Sequence, residues 1–362
     1  MDDSTPRLLF VPVSGAFGMG EYARSVAIAQ GAAERWPRAS IQFILSSAAP
    51  YATQAPFPAV LLASSPTFHS AAVIEIMNSW RPDIVIFDNA GRTAQLRAAR
   101  KLGARVVYIS ARRRQRNKAF RVSWMRLIDE HWIAYPEFIA GELKFMERLK
   151  RKLLGRPAVR YLDVILTRTR ESPALQVGIA ADYLLMVPGG GTGHPGAGDA
   201  VEVFLQAARR LAALGVDTVL VGRVGTPSAV TEAATGGSAL GSAAGSRAQL
   251  LGPLPQAELA DLMRGARLII ANGGSTLLQS IACGRASMAV AIAGDQAERI
   301  RRCVAAGVAV EAPLAADAMV KIAADLWRDG TRLDALAGRA VALGLADGVD
   351  VALRAMTALL AT

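Results

Sequence analysis

The chain has 362 residues, 52% hydrophobic and 20% charged, which is apolar enough for two cores and unlike a disordered polymer. Two cysteines exclude a disulfide framework, and no apolar stretch is long and charge-free enough to span a bilayer. The formal net charge of +11 favours anionic partners: nucleotides, phosphosugars, nucleic acid or an acidic membrane face.

The opening MDDSTPRLLFVPV is acidic and runs straight into a strand, so no secretory leader is expected, and a cytoplasmic location is the simplest expectation. LLFVPV (Leu8 to Val13) is a short β-rich run ending near glycines, which predicts a buried parallel strand. SGAFGMGEYARSVAIAQGAAERW follows, a glycine loop opening an amphipathic helix. IQFILSS predicts a strand, AAVIEIMNSW a helix, DIVIFDN a strand, TAQLRAARKLG a helix and ARVVYIS a strand. Strands alternating with helices imply an α/β protein with a parallel sheet and right-handed crossovers.

Residues 111–157 break the alternation. They are basic, aromatic and helix-prone: ARRRQRNKAFRVSWMRLIDEHW, then ELKFMERLKRKLLGRP. A basic amphipathic helix there suits an anionic membrane surface or a lipid-linked acceptor, and equally a solvated face. No nucleic-acid recognition module is evident.

YLLMVP (Tyr183 to Pro188) restarts the pattern, followed by the glycine loop GGGTGHPGAGD. EVFLQAARRLAALG predicts a helix and DTVLVGR a strand; TGGSALGSAAGSRA reads as a low-complexity loop. LPQAELADLMRGA predicts a helix, RLIIAN a strand, TLLQSIACG a helix and SMAVAIAG a strand, and three helical patterns finish the chain. Each half therefore opens alike: apolar strand, glycine loop, amphipathic helix.

The segment Asn272-Gly273-Gly274-Ser275-Thr276 sits where a strand hands over to a helix. Glycine lets the backbone approach an anion, and the N–H groups at a helix start favour phosphate. Ser275 and Thr276 are placed to cap the helix or bond a phosphate oxygen. Gln279, four residues after Ser275, shares its face and suits a ribose hydroxyl. Asp295 and Gln296 follow the next strand, where carboxylate and amide suit the hydroxyls of a sugar.

These residues resemble the donor-binding region of GT-B glycosyltransferases of the peptidoglycan N-acetylglucosaminyltransferase type, and of the related UDP-sugar hydrolase of pseudaminic acid synthesis. Those families carry GG-x-T-x-x-E, then a D/N-Q pair; here the chain reads GGSTLLQ and GDQ. Gln279 replaces the family's ribose-holding Glu and loses charge assistance. AFGMGEYARS is similar to the hydrolase relative's G-M-G-H-x-x-R loop, with Glu21 at the position of its His. RPDIVIFDN resembles the relatives' PD-x-V-x-D strand, ending at Asp88.

The resemblance implies a GT-B fold: two Rossmann-like domains whose parallel sheets face a central cleft. The expected division is an acceptor domain over residues 1–165, containing the basic helical segment 111–157. A donor domain over 166–345 follows, then a terminal helix over 346–362 packing back on the first. The implied reaction is transfer of a sugar, inverting and without a metal, from a nucleoside-diphosphate sugar such as a UDP-sugar to an acceptor hydroxyl. Bacterial glycan or glycolipid synthesis is the implied setting, with no cofactor and an optional place on the inner face of the membrane.

Such a transfer needs a base, and Glu21 is the candidate, with Asp88 behind it. Both are also placed for plain helix-cap duty. Gly18, Met19 and Gly20 form the acceptor loop. Gly189, Gly190, Thr192 and His194 are candidates for contacts with phosphates or acceptor, and Arg223 for a phosphate or base contact. His69 and His131 are expected to be structural, and no metal cluster is visible. A UDP-sugar hydrolase and a non-catalytic nucleotide-sugar binder remain open. An NAD-linked oxidoreductase is prompted by GGGTGHPGAGD, but Arg223 stands where the acidic ribose ligand is expected.

Overall fold

A computed structural model describes residues 5–16, 19–166, 182–189, 200–222, 238–243, 246–294 and 296–361. The chain divides into two compact units, one formed by Met1–Ile165 with Ala346–Thr362, the other by Leu166–Leu345.

In the first unit the strands are β1 (Arg7–Pro12), β2 (Ser40–Ser46), β3 (Ala59–Leu62), β4 (Ile84–Asp88), β5 (Arg105–Ser110), β6 (Glu130–Ile133) and β7 (Ala158–Tyr161). They make one parallel sheet in the order β3-β2-β1-β4-β5-β6-β7. The helices are α1 (Gly20–Arg35), α2 (Ser70–Trp80), α3 (Thr93–Lys101), α4 (Arg113–Ala119), α5 (Val122–Met125), α6 (Glu137–Ala140) and α7 (Phe145–Leu154). Strand periodicity deals side chains to two cores. Leu8 and Phe10 face the core shared with Ile28 and Ala32 of α1. Leu9 and Val11 face the one shared with Val73 and Met77 of α2 and Leu96 of α3.

The second unit carries β8 (Leu184–Val187), β9 (Thr218–Val221), β10 (Ser238–Ala243), β11 (Ser246–Leu251), β12 (Leu268–Asn272), β13 (Ala286–Val290) and β14 (Val310–Ala312). Their order is β10-β11-β9-β8-β12-β13-β14, parallel except for β10 against β11. Its helices are α8 (Ala200–Ala213), α9 (Gln256–Gly265), α10 (Ser275–Ala282), α11 (Gln296–Ala305), α12 (Ala316–Arg328) and α13 (Gly330–Ala342). Phe204 and Leu211 of α8 and Met319 and Ala323 of α12 cover one face of the sheet.

The last helix, α14 (Gly348–Leu360), belongs to the first unit, with Ala352, Ala355 and Met356 in the core beneath α1. Gly31 permits the approach, since a Cβ there would lie 2.6 Å from Cγ1 of Val349. The returning backbone is fastened by Gly348 N–H to the Val164 carbonyl at 2.8 Å and Ala346 N–H to Asp163 at 3.0 Å.

Three sequence expectations change. The basic segment 111–157 is not wholly helical: β6 runs through it, every residue buried. The low-complexity stretch expected as a loop supplies β10 and the start of β11. After β13 the chain forms four helices and β14 rather than three helices alone.

His131, on β6, is fully buried, its Nε2 2.8 Å from Ser110 Oγ and its ring 5.0 Å from Phe120. Burial, with Arg116 nearby, lowers its pKa from 6.5 to about 3. The folded ring stays neutral while the unfolded ring takes a proton below about 6.5. The stabilisation is therefore full above that pH and drains away as pH falls towards 3. Between pH 6.5 and 4.5 His131 is expected to cost the first unit about 2–3 kcal/mol. Urea midpoints across that range test this, and the non-titrating His131→Gln should flatten the acid limb. His69 is half-buried with Nε2 2.8 Å from Ser64 Oγ.

Candidate functional site

Parallel sheets bind ligands beyond the carboxyl ends of their strands, where strand order reverses. In the first unit the reversal lies between β1 and β4. There α1 begins at Gly20 after Met19, which gives no side-chain cap, and Glu21 occupies the first turn, half-buried. β4 delivers Asp88 and Asn89 to the same edge.

Asp88 is 0% exposed and both its oxygens are taken by Arg24, Nε to Oδ2 at 2.8 Å and the terminal nitrogen to Oδ1 at 2.7 Å. Burial lifts the Asp88 carboxyl to about 6, with Arg24 pulling down and Glu21 adding to the rise. At neutral pH the two form an ion pair, and Asp88 has no lone oxygen to offer a substrate. Asn89 turns the chain with φ of 52°, a conformation asparagine tolerates. Its Nδ2 donates to Glu21 Oε1 at 2.8 Å, and its Oδ1 accepts from Ala111 N–H at 2.8 Å. One asparagine thus ties the ends of β4 and β5 to the start of α1. The Tyr51 hydroxyl is held up at about 12 by burial and then by the Glu21 charge.

In the second unit the reversal lies between β8 and β12. Asn272, at the end of β12, is buried and braces both sides: Nδ2 donates to the Pro188 carbonyl at 2.9 Å, and Oδ1 accepts from Gly274 N–H at 2.8 Å. The three glycines are demanded by space. Gly189 has φ of 134°, and a Cβ there would strike Asn272 Nδ2. At Gly273 a Cβ would lie 2.7 Å from Ile300 and 2.8 Å from Gln296 Cβ, and at Gly274 2.7 Å from Asn272 Oδ1.

Gly274 is the N-cap of α10 and supplies no side chain, so Ser275 and Thr276 are the first two helical residues rather than caps. Ser275 is exposed and Thr276 half-exposed. The first-turn N–H groups of a helix have no intrahelical acceptor, and here no side-chain cap takes them. The chemistry available is anion binding by backbone dipoles. Arg299 of α11 donates to the Gly273 carbonyl, keeping that turn closed and a cation beside it.

Gln296 is buried and its Oε1 accepts from Ile292 N–H at 3.0 Å, so its amide oxygen braces its own loop. Gln279 is half-buried, its Nε2 3.5 Å from Gln256 Oε1. Gly18, Gly190, Thr192, His194, Arg223 and Asp295 lie outside the described residues.

The fold therefore gathers Gly189, Asn272, Gly273, Gly274, Ser275, Thr276 and Gln296 at one sheet edge, and Met19, Gly20, Glu21 and Asp88 at another. Sequence reasoning missed Arg24, Asn89 and Arg299. The first two had signals: Arg24 closes the loop motif three residues after Glu21, and Asn89 follows Asp88 directly. Among the described residues no three His, Cys, Asp or Glu side chains are grouped to hold a metal, and no helix is long and apolar enough to cross a membrane.

No protein-family model matches the chain, and neither does any curated protein. Solved structures do. The calicheamicin glycosyltransferase CalG4 superposes with a TM-score of 0.62 at 15% identity, covering 99% of this chain and 98% of that one. A UDP-N-acetylglucosamine 2-epimerase from Listeria monocytogenes superposes with 0.61 at 15% identity, over 98% and 96%. The spinosyn rhamnosyltransferase SpnG, solved with thymidine diphosphate, superposes with 0.58 at 14% identity, over 97% and 100%. The shared architecture is the GT-B fold.

Proposed function

We propose that this GT-B chain transfers a sugar from a nucleoside-diphosphate donor, UDP-linked in the first instance, to an acceptor hydroxyl. The observation that carries the reading is the start of α10, where Asn272, Gly273 and Gly274 present an uncapped helix end at the switch point of the second sheet. The donor diphosphate rests there, with Gly189, Ser275 and Thr276 around it and Gln279 towards the ribose. Glu21, steadied by Asn89, takes the proton from the acceptor hydroxyl. The hydroxyl oxygen then attacks the anomeric carbon, the bond to the diphosphate breaks, and configuration inverts. Backbone N–H groups and Arg299 offset the charge left on the diphosphate, the task a metal performs elsewhere. Bacterial glycan or glycolipid synthesis is the proposed setting.

Titration with UDP and thymidine diphosphate tests the site. Gly273→Ala forces Ile300 and Gln296 apart and is expected to weaken binding by about tenfold or more. No binding to the native chain, or equal binding to the variant, overturns the reading. Turnover of UDP-sugars without acceptor then separates hydrolase from transferase: nucleotide release with water alone assigns hydrolysis.

The proposal extends to an anionic membrane surface through α7. Phe145, Met146, Leu149 and Leu153 are 69%, 53%, 37% and 76% exposed and fall along one face, with Arg148 and Lys152 on its flank. The opposite face is anchored by Glu147, buried against Arg116 at 2.9 Å. Co-sedimentation with phosphatidylserine vesicles should fall on the order of tenfold in Phe145→Ser/Leu153→Ser.

A further inference from the structure

The first unit holds a concave feature. A cavity of about 480 Å³ opens between the 63–69 loop, the turn after β4 and helix α4. Arg92, Arg114, Lys118 and Arg121 stand in its wall, and no acidic residue lines it among the described residues. Like charges converging on one hollow raise the energy of the empty state, and an entering anion relieves them.

Arg92 donates to the Thr67 carbonyl at 3.0 Å, but two of the other cations are not absorbed by the fold. Arg114 and Arg121 are exposed and have no ion-pair partner among the described residues. Lys118 is half-buried, its Nζ 3.2 Å from the Gly91 carbonyl and 4.0 Å above the Trp124 ring. Burial, and then Arg92, Arg121 and Arg114 around it, lower its pKa from 10.5 to about 8. Arg116, on the same helix, shows the contrast. It is buried, paired with Glu147, and donates to the carbonyls of Ala140, Gly141 and Glu142. One side of α4 is structural; the other is charged without a counterion.

A second, independent feature points the same way. Tyr108 belongs to the cavity wall, is 0% exposed, and its hydroxyl has no hydrogen-bond partner among the described residues. A buried hydroxyl without a partner carries a desolvation cost that a ligand acceptor oxygen removes.

We propose that this cavity binds a phosphate-bearing ligand distinct from the sugar donor, its monoester or diphosphate group held by Arg114, Lys118 and Arg121 with Tyr108 donating. Several cations suit a di- or trianion better than a single carboxylate, and guanidinium forks match phosphate oxygens two at a time. The volume exceeds a bare phosphate and leaves room for an organic body. Phe68, 73% exposed with Arg92 5.9 Å from its ring, gives that body an apolar rim. The proposal needs only the first unit and stands whether or not the chain transfers sugar. If it does, the anion belongs to the acceptor, because Asn89 lines this cavity and also holds Glu21.

Calorimetric titration of the full chain with pyrophosphate, with malonate and with phosphatidic-acid vesicles tests the proposal, using Arg114→Gln/Arg121→Gln and, separately, Gly273→Ala. The expected result is pyrophosphate or phosphatidic-acid binding that weakens at least about tenfold in the double variant and survives in Gly273→Ala. The soluble arm assigns a small phosphorylated molecule; binding confined to the vesicles assigns a phospholipid headgroup. At pH 8.5 binding should take up protons as Lys118 regains its charge, read from the dependence of the heat on buffer, and Lys118→Met should abolish the uptake. Equal affinity in the double variant, or malonate binding as tightly as pyrophosphate, overturns the assignment. Failure of Gly273→Ala to change nucleotide binding touches only the donor site.

Discussion

Glu21→Gln is expected to lower kcat by about 10²–10⁴-fold while leaving nucleotide affinity and stability unchanged. The substitution removes the proton-accepting oxygen and little else. The glutamine keeps an oxygen for Asn89 Nδ2, which now donates to Glu21 Oε1 at 2.8 Å. A purely structural Glu21 predicts the opposite: full turnover, because the isostere preserves the contact. The measurement is steady-state transfer beside a nucleotide titration. Asp88 cannot substitute, because both its oxygens are already bonded to Arg24. Turnover within a few-fold of the native chain removes Glu21 from the mechanism.

Arg24→Met is expected to destabilise the first unit by about 3–5 kcal/mol. Asp88 has 0% exposure, and Arg24 is the cation placed against it. Without it a carboxylate stays buried unpaired, or takes a proton and leaves its acceptors unfilled. The pair therefore earns little as an attraction but is costly to break on one side only. Arg24→Leu/Asp88→Leu, which removes both charges, should recover most of the loss. Urea unfolding of the three variants reads this as an early first transition in the single substitution and a near-native one in the double. A single variant as stable as the native chain would mean that water reaches Asp88.

How much of this was legible in the sequence follows from where each residue finds its partner. β1, β4, β8 and β12 announce themselves as unbroken apolar runs before a glycine or polar turn, because a strand buried on both faces needs no alternation. The start of α10 was legible through Gly274, which answers to Asn272 two residues earlier; the space at Gly273 is set by Gln296 and Ile300, far along the chain. β6 was not. Its sequence, EHWI, places Glu130 and His131 in the interior, where Arg160 pairs with Glu130 and Ser110 meets one ring nitrogen of His131. Arg160 lies 30 residues on, beyond any local pattern. The same distance hid the pairing of Arg24 with Asp88, 64 residues apart. Gln296 has a structural share that its sequence position did not announce: its amide oxygen serves Ile292, four residues before it.

The position of α14 in the chain has a consequence for biosynthesis. The face of α1 that it covers is completed only after the whole of Leu166–Leu345 has been made. At ordinary elongation rates that interval is on the order of ten to forty seconds. Throughout it, a nascent first unit presents the α1 surface around Gly31 to solvent without Val349 and Leu353 over it. The chain's exposure to aggregation and to chaperones is therefore set by the translation time of its second half, and ends when the final helix leaves the ribosome.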